Sequence, residues 1–92
     1  INDPEAYLQL GHAYKDGDKG LPQNFSKAIE MWNHAAGLGS INAHYNLGFV
    51  LAKKGQMEKA IHHFRETLRL KPDLVAARDN LELALLQLQE LE

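Results

Sequence analysis

The sequence has no cysteine and only three prolines, and aromatic residues make up 8% of its 92 residues. Without cysteine there is no disulfide framework and no thiolate metal site. That absence does not fix a compartment, because many secreted domains also lack cysteine. No apolar run approaches the roughly 20 residues of a membrane-spanning helix, and no signal peptide is visible. There is no excess of either charge: lysine and arginine are scattered among the acids and the formal net charge is −2. A basic face for nucleic acid or for an anionic membrane is therefore not expected. Hydrophobic residues at 45% and charged residues at 24% are ordinary for one folded domain.

Internal similarity is present. "YLQLGHAY" (7–14) resembles "HYNLGFVL" (44–51), and "FSKAIEMWNHAA" (25–36) resembles "MEKAIHHFRETL" (57–68). Leu10 and Leu47 are offset by 37 residues and Ala28 and Ala60 by 32, so the paired segments recur with different spacers. This is the signature of repeated helix–loop–helix units with an insertion in the first.

Apolar periodicity predicts five helices. The first covers about 4–15, with Asp3 as cap, Pro4 in the first turn, and Tyr7, Leu10, Gly11 and Tyr14 on one face. The second covers about 25–37, capped by Asn24, with Ala28, Trp32, Ala35 and Ala36 inward and Gly37 and Gly39 at its end. Ser40 caps a third at about 41–54, stopped by Gly55. A fourth at about 57–70 stops at Lys71-Pro72, and Asp73 caps a fifth at about 74–91. Gly11 and Gly48 each cost about 1 kcal/mol relative to alanine inside a helix. Both follow a leucine at the same place in the unit, so both are read as points of close helix approach.

"NAHYNLGFVLAKKGQMEKAIHHFRETLRLKPD" (42–73) resembles a tetratricopeptide repeat through Leu47-Gly48, Leu51, Gly55, Ala60, Phe64, Thr67 and Pro72. His44 departs from the large apolar residue common there. Residues 4–40 look more like the related Sel1-like repeat, through Leu10-Gly11, Tyr14, Gly17, Gly20-Leu21, Lys27-Ala28, Ala35-Ala36 and Gly39. Residues 74–92 resemble the first helix of a further unit. The resemblance implies an all-α, right-handed α-solenoid of antiparallel helical hairpins, about two and a half repeats in a single domain (1–92). Its units are 4–40, 41–73 and a terminal capping helix, 74–92. Two readings stay open: a piece of a longer array, or an array capped by its fifth helix.

No chemistry of another kind is expected. Asp16, Asp18 and Gly20 imitate the start of a calcium loop, but Leu21 stands at the glycine position and Lys27 at the twelfth. "GDKGLPQN" lacks the ending of a phosphate loop and follows a helix. His12, His34, His44, His62 and His63 include no pair four apart on a helix, so no metal or cofactor is expected. No nucleophile–histidine–acid set or convergent carboxylate pair is present, and the chain is read as a non-enzyme.

The resemblance implies that the first helix of each unit lines a concave groove that binds a protein or peptide segment. Groove positions carried over residue by residue are Glu5, Leu8, Gln9, His12 and Lys15; Asn42, Tyr45, Asn46, Phe49 and Lys53; and Ala76, Asp79, Asn80, Leu83 and Leu86. The expected peptide-binding set is His12, Tyr45, Asn46, Phe49, Lys53, Asn80 and Leu83. One subgroup of the family clamps the C-terminal carboxylate of chaperones. Its positions match Leu8, His12, Asn46, Ala76 and Asn80 here, only Asn46 agrees, and that specificity is not expected. The alternative is a structural module. Leu74, Ala77, Leu81, Ala84, Leu85 and Leu88 are expected to face the fourth helix. Leu83, Leu86 and Leu91 then remain for self-association, giving a homodimer through 74–92.

Overall fold

A computed structural model describes residues 3–91, the side chain of Leu91 excepted, and all of its regular structure is helical. The helices are α1 (Pro4–Asp16), α2 (Phe25–Gly37), α3 (Ile41–Lys53), α4 (Met57–Leu70) and α5 (Val75–Leu91). The chain divides into two compact units, Ile1–Ala43 and His44–Glu92.

In the first unit α1 packs against α2. Asp3 caps α1 by accepting from the Glu5 backbone N–H at 3.0 Å, and Asn24 caps α2 by accepting from that of Lys27 at 3.0 Å. These side chains satisfy amides that a helix start leaves without partners. Trp32, 1% exposed, lies across Gly11 and donates its indole N–H to the Leu8 carbonyl at 3.1 Å. A Cβ on Gly11 would come within 2.3–2.8 Å of the indole, closer than any real contact. The glycine is what lets the largest side chain of the unit reach the α1 backbone. Leu8 is therefore core, 4% exposed, and does not stand on an inner face as its repeat position implied. Leu10 is 40% exposed, because α2 is the helix packed on α1 within this unit and Leu10 lies off that contact.

The second unit repeats the device. Phe64 of α4, 1% exposed, lies over Gly48 of α3, where a Cβ would sit 2.6–2.9 Å from the ring. Ala60, Ile61, Phe64 and Thr67 form the buried stripe of α4, at the i, i+3/i+4, i+7 spacing of a helix face. Thr67, at the small position, is fully buried and donates its hydroxyl to the His63 carbonyl at 2.8 Å. α5 packs on α4, with Ala77 and Ala84 buried. Leu74, Leu81 and Leu88 are half-buried, but Leu85 is 38% exposed and belongs to the rim of that face rather than its centre. The cap of α5 also differs from expectation: Leu74 precedes the helix, and its carbonyl accepts from the Arg78 N–H at 3.2 Å. Asp73 sits one residue too early, in the turn set by Pro72.

The connections explain the two spacings. Eight residues link α1 to α2 and three link α3 to α4. Gly17 at φ 67° ends α1 in the left-handed region, where glycine has no Cβ penalty. The longer loop then folds back on the helix it leaves. Asp18 N–H donates to Ala13 O, Asn24 N–H to Tyr14 O, and the Gln23 side chain to Lys15 O, at 2.8–2.9 Å. Asp18 turns its carboxylate to the Lys19 N–H at 2.8 Å. The polar groups of this loop thus close a helix end.

Candidate functional site

In the second unit one expected groove residue of α3 meets one of α5. Asn80 of α5 donates its side-chain amide to the Tyr45 hydroxyl of α3 at 2.9 Å. Both residues are half-buried, and the Tyr45 ring lies 6.0 Å from that of Phe64. One side of Tyr45 is thereby held by the core while its hydroxyl ties α3 to α5. One turn along, Phe49 is 41% exposed and Lys53 places its ammonium 5.1 Å from the Phe49 ring centroid, a cation–π distance. Leu83, one turn beyond Asn80, is 53% exposed. Asn46 is half-buried between these positions in sequence. Tyr45, Asn46, Phe49, Lys53, Asn80 and Leu83 thus supply apolar area, amide hydrogen-bonding groups and one cation within a single unit. That mixture suits a peptide, whose backbone needs hydrogen bonds and whose side chains need apolar contact.

His12 lies in the first unit, half-buried and edge-on to Trp32 at 5.4 Å between ring centroids. Tyr7 stacks on His34 at 4.9 Å. Leu86 is 58% exposed, as expected for the outer side of α5. Leu91 lies outside the residues whose side chains are described.

The structure also pairs two histidines that helix spacing alone does not. His44 of α3 and His63 of α4 face each other with their Nδ1 atoms 3.1 Å apart. Neutral rings make this a hydrogen bond if one is the Nδ1–H tautomer and the other carries its proton on Nε2. Protonating the acceptor ring, or both rings, would set two N–H groups against each other. Burial, then the neighbouring His44 and His62, pushes His63 down to about 4, with Glu66 opposing. Burial is also the main cause that lowers His44, with Glu66 opposing and His62 and Arg69 adding to the fall. The Arg69 hydrogen bond, 3.0 Å from Nη2, holds the Glu66 carboxyl below its ordinary value. The repeat register contained the signal for this pair: His44 occupies a packing position of the first helix. Among the described residues no three histidines or carboxylates are placed to hold one metal ion. No helix among them is long and apolar enough to cross a membrane.

No curated protein matches the chain. Residues 41–74 match the tetratricopeptide repeat family, and the matched span contains α3, the three-residue turn, α4 and the Gly48–Phe64 contact. Tetratricopeptide repeats generally mediate protein–protein interaction. Helix pairing, the glycine–aromatic contact and the family match agree, and residues 41–74 of this chain are a tetratricopeptide repeat.

Proposed function

We propose that the chain is a protein-interaction scaffold that holds a peptide segment against the α3 and α5 surface of its second unit. The observation that carries this reading is the Asn80–Tyr45 hydrogen bond, which ties α5 to α3 at two residues that the repeat register assigns to the inner face. Phe49 and Leu83 then supply exposed apolar anchors. Lys53, resting on Phe49, supplies a cation for a carboxylate or carbonyl, and Asn46 is assigned to the same surface by its repeat position. Anchors of this kind dominate binding when they sit among weaker polar contacts. Residues 4–40 are proposed to be a Sel1-like unit, supported by the Gly11–Trp32 contact and the longer loop.

The test is selection of a random displayed peptide library on the chain, followed by affinity measurement of the selected peptides. Phe49→Ala and Leu83→Glu should each weaken binding by about tenfold or more. Unchanged affinity in both variants would sink the proposal. Self-association through α5 is the competing reading, favoured by the exposure of Leu83 and Leu86. Light scattering separates the two.

A further inference from the structure

His44 and His63 come from different helices of one hairpin, so no i, i+4 spacing along a single helix announces them. Their Nδ1 atoms stand 3.1 Å apart. A neutral imidazole offers a nitrogen lone pair that suits Zn2+, Ni2+ and Cu2+. Two metal–nitrogen bonds of about 2.0–2.1 Å spanning that separation enclose an angle of about 100°. This lies between the right angle of a square-planar or octahedral site and the tetrahedral angle. The distance that serves the hydrogen bond is therefore also the edge of a coordination polyhedron.

The surroundings suit a cation. Both side chains are half-buried, so each keeps an edge that an ion can reach from solvent. His44 lies one turn before Gly48 and His63 adjoins Phe64, so the Gly48–Phe64 contact sets the spacing of the two helices beside the pair. Burial favours the neutral form of both rings, the form that a metal requires. Glu66, on the next turn of α4, is the carboxylate whose charge reaches both rings. Opposing it are Arg69, which is hydrogen-bonded to Glu66, and the exposed His62. The rings meet nearly head-on, with centroids 5.3 Å apart. To aim both lone pairs at one ion each ring turns by about 40°, a motion open to the broad χ2 torsion of histidine. The ring that donates Nδ1–H moves its proton to Nε2, so both Nδ1 atoms become ligands and neither ring changes charge.

From this geometry we infer that His44 and His63 form a two-histidine chelate for a divalent transition-metal ion, which replaces their hydrogen bond and pins α3 to α4. No third histidine or carboxylate is in place among the described residues, so water completes the coordination shell. Cu2+ binds more tightly than Ni2+ or Zn2+. The inference does not rest on the inner-face reading, because neither histidine belongs to that set.

The experiment uses the tag-free, chelator-treated chain and Zn2+ alone. Calorimetry should show one ion bound per chain, and binding should raise Tm. Nitrogen-15 spectra of the five imidazoles should show coordination shifts at Nδ1 of His44 and His63, with His12, His34 and His62 little moved. His44→Gln and His63→Gln should each weaken binding about tenfold or more, whereas His62→Gln should leave it within about twofold. Circular dichroism checks that the variants fold; should one fail, the imidazole spectrum of the parent chain decides. No binding at about 100 µM Zn2+, an unchanged Tm, or shifts confined to the other three histidines would overturn the inference. A loss in His62→Gln as large as in the other two variants would overturn it as well.

Discussion

Replacing His63 with glutamine should flatten the acid dependence of stability, and the structure sets both sign and size. The folded chain holds His63 near 4, against 6.5 for a free imidazole. Between those values the unfolded chain carries a proton that the folded chain lacks. Stability therefore rises with pH across that window: it is fully present above about 6.5 and falls progressively toward 4. Acting in full, the displacement is worth about 3 kcal/mol. Both rings are only part-buried and solvent screens them, so about 1–2 kcal/mol is expected. Urea denaturation at pH 7.5 and at pH near 4.5 measures the change in the parent chain and in His63→Gln. Other carboxylates titrate in both proteins and cancel in the difference. The parent should lose about 1–2 kcal/mol more than the variant on acidification. Equal losses would show that the His44–His63 contact is not maintained in solution.

Gly48→Ala gains about 1 kcal/mol of helix propensity but places a Cβ 2.6–2.9 Å from the Phe64 ring. Overpacking should win, with net destabilisation of about 1–3 kcal/mol by urea denaturation; a stabilised variant would refute the close-approach reading. Trp32→Ala should cost about 3–5 kcal/mol, whereas Trp32→Phe should lose far less, mainly the hydrogen bond to the Leu8 carbonyl. Comparing their denaturation midpoints separates packing from hydrogen bonding. Asn80→Ala and Tyr45→Phe should each cost about 0.5–1.5 kcal/mol, and the double variant should cost less than their sum. Strict additivity would mean that the 2.9 Å bond between α3 and α5 contributes nothing.

Local chemistry made the helices readable. Capping by Asp3, Asn24 and Ser40 depends on residues adjacent in sequence, and the Ala43 N–H does donate to the Ser40 hydroxyl at 3.1 Å. Gly11 and Gly48 were legible because the same costly residue recurs at one place in both units. Leu8, Leu10 and Leu85 were misplaced because one leucine looks like another in a periodic pattern. Which of them is covered depends on the direction from which the neighbouring helix arrives. Asp73 missed its cap because Pro72 delays the start of α5 by one residue. The His44–His63 contact joins two helices across a turn, and single-helix spacing cannot express it. Of the site, the residue types were legible; the Asn80–Tyr45 bond and the resting place of Lys53 on Phe49 needed three dimensions.

Amide NMR shifts on adding a library-selected peptide test the inner-face assignment most directly. Shifts are predicted on α3 and α5 at Tyr45, Asn46, Phe49, Lys53, Asn80 and Leu83, with little change at the exposed α4 residues His62, Arg65 and Arg69. Shifts concentrated on those α4 residues, with Phe49 and Leu83 unmoved, would contradict it.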